Sequence, residues 1–387
     1  MSRFLTLGLI YMIVAVPKET KFGEQRVALT AEGVKILTKA GFSCVVESGA
    51  GLGAAVTDEA FVAAGARLFT DKAAMLQAAD VVLGVNAPTV SEVGAYKEGS
   101  VLLSFLYAHT CPEVVDVLCR RRISAFAMDA VPRISRAQKM DALSSQANLA
   151  GYKAVLLGAN AMGKIFPLMM TAAGTITPAR VVIFGAGVAG LQAVATARRL
   201  GALVEVTDVR PETKEQVESL GGRFIEVPSD ENVKIEGGYA REVSAEYLAK
   251  QQAVVGQRVA EADLVITTAL VMGKKAPMLI SADLVGRMKV GAVIVDMAVE
   301  SGGNCALSEL GKTVIHQGVT IIGEANLPAM LAVNASELYA RNIIALLTHL
   351  ADKDGLKWAF DEEITRGCLI THAGTLVHEF TKKILQK

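Results

Sequence analysis

Residues Val181-Val182-Ile183-Phe184 run directly into Gly185-Ala186-Gly187-Val188-Ala189-Gly190, and an Ala- and Leu-rich stretch with helical spacing follows from Val188 to Leu200. A second apolar strand then reaches Asp208. Strand, G-x-G-x-x-G, helix, strand and an acid close to ~20 residues on is the order of a dinucleotide-binding βαβ unit. In such a unit Gly185 allows the tight turn, Gly187 lets the backbone approach a pyrophosphate, and Gly190 lets the helix lie close to the strand. The helix start at Ala186, Gly187 and Val188 would offer free N–H groups and a positive dipole end to phosphates. Asp208 can accept hydrogen bonds from adenosine ribose hydroxyls, and a carboxylate there repels a 2′-phosphate, which favours NAD over NADP. Arg210 stands two residues later and could hold that phosphate, but the acid has the strand-end position.

A chain of 387 residues suggests two or three domains. Lys plus Arg and Asp plus Glu are both 39, so there is no basic field for nucleic acid or an anionic membrane. Hydrophobic residues make up 52% and the mean hydropathy is +0.39, yet no uninterrupted apolar run reaches the length of a membrane span. The excess apolar surface is left for core or subunit interface. Five cysteines (Cys44, Cys111, Cys119, Cys305, Cys368) without a C-x-x-C pair argue against a disulfide framework or structural zinc and fit a reducing cytoplasm. The five histidines form no H-E-x-x-H, and no metal site is expected. Residues 1–11 loosely resemble a signal peptide, but their apolar part is short and the first strand begins at Met12, so they read as an N-terminal extension.

Strand patterns at Ile13–Val16, Ser43–Glu47, Asp80–Val85, Val101–Tyr107 and Ile123–Met128 alternate with helix patterns at Thr30–Ala40, Asp58–Ala64, Lys72–Ala78 and Pro112–Cys119. Repeated βα units predict a parallel sheet with helices on its faces. A helix pattern from Ala147 to Ile165 leads into the nucleotide unit, whose later strands fall at Leu264–Thr268, Val293–Asp296 and Thr320–Ile322. Ligands bind at the C-terminal ends of such strands, here Thr267 to Leu270, Asp296 to Glu300 and Glu324 to Asn326. Gly237 to Arg241 is a glycine-rich excursion that reads equally as a lid or a surface loop. A helix from Ala335 to Leu350 and a hairpin from Cys368 to Val377 around Ala373-Gly374 return to the first domain. The expected architecture is α/β, with two Rossmann-like doubly wound parallel-sheet domains and NAD(H) bound in a cleft between them. The first is discontinuous, residues 12–146 plus 329–387; the second is residues 147–328, linking helix included.

The polar segment from Arg133 to Ser145 concentrates groups suited to a nicotinamide. Gln138 and Ser144 can bond a carboxamide; Arg133 and Asp141 can pair, or hold carboxamide and ribose between them. Hydride transfer requires such orientation. The same segment also reads as a solvated interdomain loop. No Ser-His-Asp spacing or metal cluster stands out, and moving a hydride between two nicotinamides needs neither, because the cofactors carry the chemistry.

From Met12 to Lys387 the chain resembles the soluble NAD(H)-binding alpha subunit (alpha-1 type) of proton-translocating NAD(P) transhydrogenases. The likeness rests on VPKET…RVALT (16–30), PRISRAQKMDALSSQANLAGY (132–152), TAAGT (171–175), FGAGVAGLQA (184–193), TDVRPETKEQVESLGG (207–222), GGYA (237–240), ITTAL (266–270) and ESGGNCALSE (300–309). The resemblance implies that Arg133, Gln138, Asp141 and Ser144, within the block that also holds Ile134, Ser135, Lys139 and Met140, orient the nicotinamide and its ribose for transfer. It implies that Ala186, Gly187 and Val188 bind the pyrophosphate in the cofactor turn that Gly185 and Gly190 shape, that Asp208, Val209 and Arg210 contact the adenosine, and that Gly238, Ala269 and Leu270 line the site while Tyr239 rides on a closing loop. It further implies a homodimer that docks, on the cytoplasmic face of the inner membrane, on membrane-anchored alpha-2-type and beta-type subunits. One of these presents NADP(H), and hydride transfer is coupled to proton translocation.

Alanine dehydrogenases are the rival resemblance. Their V-K-E-P lysine corresponds to Asn86 and their histidine to Tyr107, with His109 two residues away. An amide lacks the ammonium charge, and a tyrosine is a poor proton shuttle near neutral pH.

Overall fold

The computed structural model describes residues 12–226, 235–236, 239–240, 245–271, 273–352 and 355–385. It divides into two compact units, one ending at Gln146 and resuming at Leu331, the other Ala147–Met330.

The first unit is built on an eight-stranded sheet in the order Thr375–Leu376, Leu369–His372, Ser124–Ala127, Val101–Ser104, Val81–Leu83, Ile13–Val16, Ser43–Glu47, Arg67–Phe69. The six strands from the N-terminal segment are parallel; the two C-terminal ones join antiparallel at the edge beyond Ser124–Ala127. Both faces are covered, so successive strand residues alternate between two cores rather than between core and water. Val14, Val16 and Leu103 pack with Leu37, Phe61 and Tyr339, whereas Ala15 and Leu102 pack with Leu76, Val115 and Leu118. Side-chain caps start the helices where the sequence supplies them: Thr30 for Ala31–Lys39, Thr57 for Asp58–Ala63, Asp71 for Lys72–Ala78, and Thr89 with a capping box to Glu92 for Val90–Ala95.

Several boundaries are tighter than the sequence pattern. Val81–Leu83 starts after Asp80, whose carboxylate accepts the Ile13 amide at 2.9 Å and pairs with Lys97. Val101–Ser104 stops before Tyr107 because Asp129 captures the Leu106 and Tyr107 amides. Strand Arg67–Phe69 and helix Val90–Ala95, which the pattern does not signal, are present. The C-terminal hairpin turns at Ala373-Gly374, both at positive φ (46° and 93°), as a two-residue hairpin loop requires.

The second unit holds a seven-stranded sheet ordered Arg223–Phe224, Leu203–Thr207, Arg180–Phe184, Leu264–Thr267, Val293–Asp296, Val319–Gly323, Lys312–His316. All neighbours are parallel except the last pair. Lys312–His316 goes beyond the sequence pattern; it is a hairpin partner of Val319–Gly323 through Gln317 and Gly318, both at positive φ. Helix Ala142–Ala161 begins at Ala142 rather than Ala147, since Asp141 caps it, and ends before Gly163 rather than at Ile165. Its glycines serve contact: a Cβ on Gly151 would sit 2.0 Å from the Ala189 carbonyl oxygen, and one on Gly158 2.5 Å from Leu264. Strand Arg180–Phe184 lies between Leu203–Thr207 and Leu264–Thr267, so sheet growth reverses at its C-terminal end. That is the switch point at which open α/β sheets bind ligands.

Candidate functional site

The glycine turn leaves the sheet at that switch point. Gly185 has φ 100°, a conformation that disfavours any side chain, and a Cβ there would lie 2.4 Å from Thr268 Oγ1. A Cβ on Gly190 would fall 1.8 Å from the Gly185 carbonyl oxygen, so the third glycine is what lets helix Val188–Arg199 lie against the turn. Gly187 differs: a Cβ there would meet only Arg210 Nη2, at 3.9 Å. Its space is open on the side a ligand would use. Gly187 is the N-cap of that helix and provides no side-chain cap, which leaves the first-turn N–H groups to an anion. Ala186 is buried and Val188 exposed.

Asp208 follows strand Leu203–Thr207 and is buried, its side chain 4% exposed. Its Oδ2 accepts the Ala186 amide at 2.6 Å, tying the acid to the turn. The same carboxylate is gripped by Arg210: Oδ1 accepts from the Arg210 amide (2.8 Å) and Nε (2.9 Å), and Oδ2 from Nη2 (2.8 Å). The sequence places Asp208 against ribose and leaves Arg210 as an independent group; the structure joins them. Val209 between them is half-buried.

Across the switch point, Thr268 donates its hydroxyl to the Phe184 carbonyl (3.0 Å), and Ala269 and exposed Leu270 follow. Ala269 is held from both sides by Asn304, whose Oδ1 accepts its amide (3.1 Å) and whose Nδ2 donates to its carbonyl (2.9 Å). Asn304 is in turn fixed by fully buried Asp296, which accepts the Asn304, Cys305 and Ala298 amides and the Thr267 hydroxyl. Sequence reasoning uses the G-G-N run only as a likeness and misses this role. The signal is the glycine pair: Gly302 and Gly303 both take positive φ, which turns the chain so that Asn304 faces the sheet.

The segment 133–144 belongs to the first unit. Ser135–Met140 is a 3-10 helix with Ile134 as N-cap. Arg133, Ser135, Gln138 and Lys139 are exposed, whereas Met140 is buried and half-buried Ile134 packs on the core. The segment is therefore an ordered element with a polar outer face. The Asp141 carboxylate accepts from the Ser144 amide (2.9 Å) and hydroxyl (2.5 Å), so both sequence-predicted groups are engaged in capping helix Ala142–Ala161. Asn342 anchors the segment, donating to the Lys139 carbonyl and accepting from the Ser145 hydroxyl. Gln146 adds bonds to Arg26 and to the Ala335 carbonyl. Tyr239 is in strand Tyr239–Ala240, paired with Ile235–Glu236, and Gly238 lies outside the described residues.

Residues 15–150 match the family description "Alanine dehydrogenase/PNT, N-terminal domain" and residues 154–379 the corresponding C-terminal domain. The chain is 44% identical over 370 residues to NAD(P) transhydrogenase subunit alpha of Cereibacter sphaeroides, covering 94% of this chain and 71% of that one. It is 50% identical over 376 residues to the first polypeptide of the same subunit in Rhodospirillum rubrum, covering 95% of this chain and 98% of that one. The chain belongs to the NAD(P) transhydrogenase alpha-subunit family. The fold agrees: a transhydrogenase structure from Sinorhizobium meliloti superposes with a TM-score of 0.86 at 44% identity, covering 94% of this chain and 100% of that one. An L-alanine dehydrogenase structure superposes at 0.82 but at 28% identity, covering 97% and 99%. Membership of this oxidoreductase family implies nicotinamide-nucleotide binding.

The first sheet has a switch point of its own. Ile13–Val16 lies between Ser43–Glu47 and Val81–Leu83, and Glu19, Glu24, Arg26 and Asn86 gather beyond it. Arg26 pairs with Glu24 through Nε (2.8 Å) and Nη2 (2.7 Å), and Asn86 Nδ2 donates to both Glu19 and Glu24 at 2.9 Å. Burial pushes both carboxyls up; Glu19 stays raised, whereas hydrogen bonds and charge from Arg26 bring Glu24 down to about 2. Asn86, which the sequence reading sets against the alanine dehydrogenase lysine, is thus a neutral clip between the Glu19 and Glu24 carboxyls. Tyr107 takes a strained left-handed conformation (φ 45°) with its amide on Asp129, and the His109 ring stands 6.0 Å from Phe380. A cavity of about 460 Å³ lies at the opposite edge of the second sheet, where its strands begin. Its Lys164 and Lys289 share Asp263 and its Arg180 pairs with Glu261, so each of its cations has a carboxylate partner, and it is remote from the glycine turn.

Proposed function

We propose that this chain is the NAD(H)-binding subunit of a proton-translocating transhydrogenase, passing hydride between NADH and NADP⁺ held by a partner subunit. The observation that supports it best is the Asp208 carboxylate tied to the Ala186 amide at the switch point. It puts an anion where an adenosine ribose would be read and leaves the Gly187 side open for pyrophosphate. An acid in that position favours NAD(H) over NADP(H).

The nicotinamides supply the hydride chemistry when bound. The chain's residues bind and orient: Gly185 to Gly190 receive the pyrophosphate, Asp208, Val209 and Arg210 the adenosine, and Ala269, Leu270, Gly238 and Tyr239 line and cover the nucleotide. Arg133, Gln138, Asp141 and Ser144, on the 3-10 segment with Ile134, Ser135, Lys139 and Met140, set the angle of the nicotinamide. The anchoring of that segment by Asn342 and Gln146 supports a positioning role, because orientation requires a rigid base. No proton relay is needed at this site. The partners proposed are a second copy of this chain and membrane-anchored alpha-2-type and beta-type subunits, with this chain peripheral on the cytoplasmic face. Among the described residues no helix is long and apolar enough to cross a membrane.

The test is a hydride-transfer assay on the purified chain with NADH, with and without an NADP(H)-loaded partner domain, beside a pyruvate-plus-ammonia control. Transfer only with the partner is expected. Oxidation of NADH by pyruvate and ammonia alone would make the chain an amino-acid dehydrogenase, against which the Asn86 clip argues.

A further inference from the structure

The Asp208 carboxylate has about four acceptor positions, and four donors occupy them: the Ala186 amide, the Arg210 amide, and Nε and Nη2 of the Arg210 side chain. The first two are backbone groups fixed by the turn and the strand end. The other two come from a single side chain, 16% exposed, that presents two parallel N–H donors to two oxygens. A ribose 2′,3′-diol presents the same pattern, two adjacent O–H donors facing one carboxylate. Arg210 Nη2 also lies over Gly187, at 3.9 Å from where a Cβ would be, so the guanidinium stands beside the space assigned to the nucleotide.

We propose that Arg210 is an internal stand-in for the adenosine ribose, and that nucleotide binding exchanges one two-donor fork on Asp208 for another. This rests on the assignment of residues 185–210 to an adenine dinucleotide. The exchange makes Arg210 the residue that sets affinity for adenosine nucleotides, while Asp208 reads the hydroxyls. A ligand with both hydroxyls replaces both bonds that Arg210 gives up and leaves the buried carboxylate satisfied. A 2′-deoxyribose and a 2′-phosphorylated ribose each keep only the 3′-hydroxyl donor, and the phosphate adds negative charge beside Asp208, so either one leaves an acceptor on the carboxylate unpaired. Every adenosine ligand must open the same fork, so the competition scales their affinities alike, and discrimination at the 2′ position rests on the hydroxyl's bond to Asp208 and on charge repulsion. The competitor also lowers affinity for every adenosine ligand by the fraction of molecules in which the fork is open.

The experiment is a fluorescence titration of the full chain with NADH, and displacement by ADP, 2′-deoxy-ADP and adenosine 2′,5′-bisphosphate, for wild type, Arg210→Ala and Arg210→Lys, with thermal midpoints as a fold check. Arg210→Ala is expected to bind NADH and ADP roughly tenfold more tightly, for a fork open about one-tenth of the time. 2′-Deoxy-ADP tightens by the same factor, so the preference for ADP over it stays as in wild type, while the bisphosphate stays excluded by Asp208. Arg210→Lys keeps the charge without the fork and follows Arg210→Ala in tightening both NADH and ADP. Weaker or unchanged NADH binding by a folded Arg210→Ala, or a tightening seen for ADP and absent for 2′-deoxy-ADP, overturns the exchange while leaving the nucleotide assignment standing. Failure of the wild type to bind NADH or ADP overturns the assignment and the exchange with it.

Discussion

The side-chain amide of Asn304 pairs with the backbone of Ala269 on both sides, accepting its N–H at 3.1 Å and donating to its C=O at 2.9 Å. A primary amide is the side-chain group that can match a peptide unit in this way, one acceptor for its donor and one donor for its acceptor. Nδ2 also donates to the Pro277 carbonyl, and Asn304 is fully buried. The loop after strand Leu264–Thr267 is therefore set by a residue far along the chain.

Asn304→Ala leaves the Ala269 amide and the Ala269 and Pro277 carbonyls without that partner. Each of these part-buried groups loses a hydrogen bond worth about 0.5–1.5 kcal/mol, so the denaturation midpoint of the chain should fall. Asn304→Asp keeps the size but sets a second carboxylate near Asp296 and should destabilise comparably. A midpoint equal to wild type in urea melts of both variants would show that the clamp carries no weight.

Gly187→Ala and Gly190→Ala should fail in different ways. The Gly190 Cβ has nowhere to go, at 1.8 Å from the Gly185 carbonyl oxygen, so this variant should lose fold stability. The Gly187 Cβ meets only a movable guanidinium, so that variant should melt like wild type but bind NADH at least tenfold more weakly, because it crowds the pyrophosphate. Thermal melts and NADH titrations of the two proteins separate the effects.

Arg133→Ala and Gln138→Asn change exposed side chains and should leave the melting temperature nearly unaltered. Hydride transfer in the presence of the partner should slow roughly tenfold to a hundredfold, more than NADH binding weakens, because misorientation acts on the reacting geometry. Equal losses in rate and affinity would contradict an orienting role.

Glu24 titrates at about 2 in the folded chain, below its ordinary 4.5, because Arg26 outweighs burial. Its stabilising contribution is complete above the ordinary value and is lost as pH falls toward 2, on the order of 2–3 kcal/mol. Glu19 acts oppositely: burial raises it, so its contribution is greatest in acid and declines as pH rises through the raised value. Glu24→Gln should therefore lower stability near pH 7 by about 3 kcal/mol, by leaving Arg26 buried without its counter-charge, and flatten the acid limb. Urea denaturation from pH 7 down to pH 3 reads both effects; an acid limb that does not flatten would place the titration elsewhere.

Much of this molecule is legible from local pattern. The strand into Gly185, the helix from Val188, the acid at 208, the hairpin at Ala373-Gly374 and most βα units of the first sheet announce themselves because period, turn residues and caps act over a few neighbours. The misses share a cause. Lys312–His316 is exposed or half-buried along its length and forms a strand only by pairing with Val319–Gly323. Helix Ala142–Ala161 starts inside a polar run because Asp141 finds the Ser144 amide, while Asn342 and Gln146, distant or buried, secure the segment.

The amino-acid sequence by itself determined the glycine turn, the identity of the acid that follows it, the family and the alternation that builds two parallel sheets. These depend on backbone freedom and side-chain periodicity, which are properties of short segments. Only the tertiary structure decided that Arg210 folds back onto Asp208, that Asn304 clamps Ala269, and that Asn86 clips Glu19 to Glu24. A buried polar group must find partners wherever the packed chain brings them, and spacing along the sequence does not say which ones arrive.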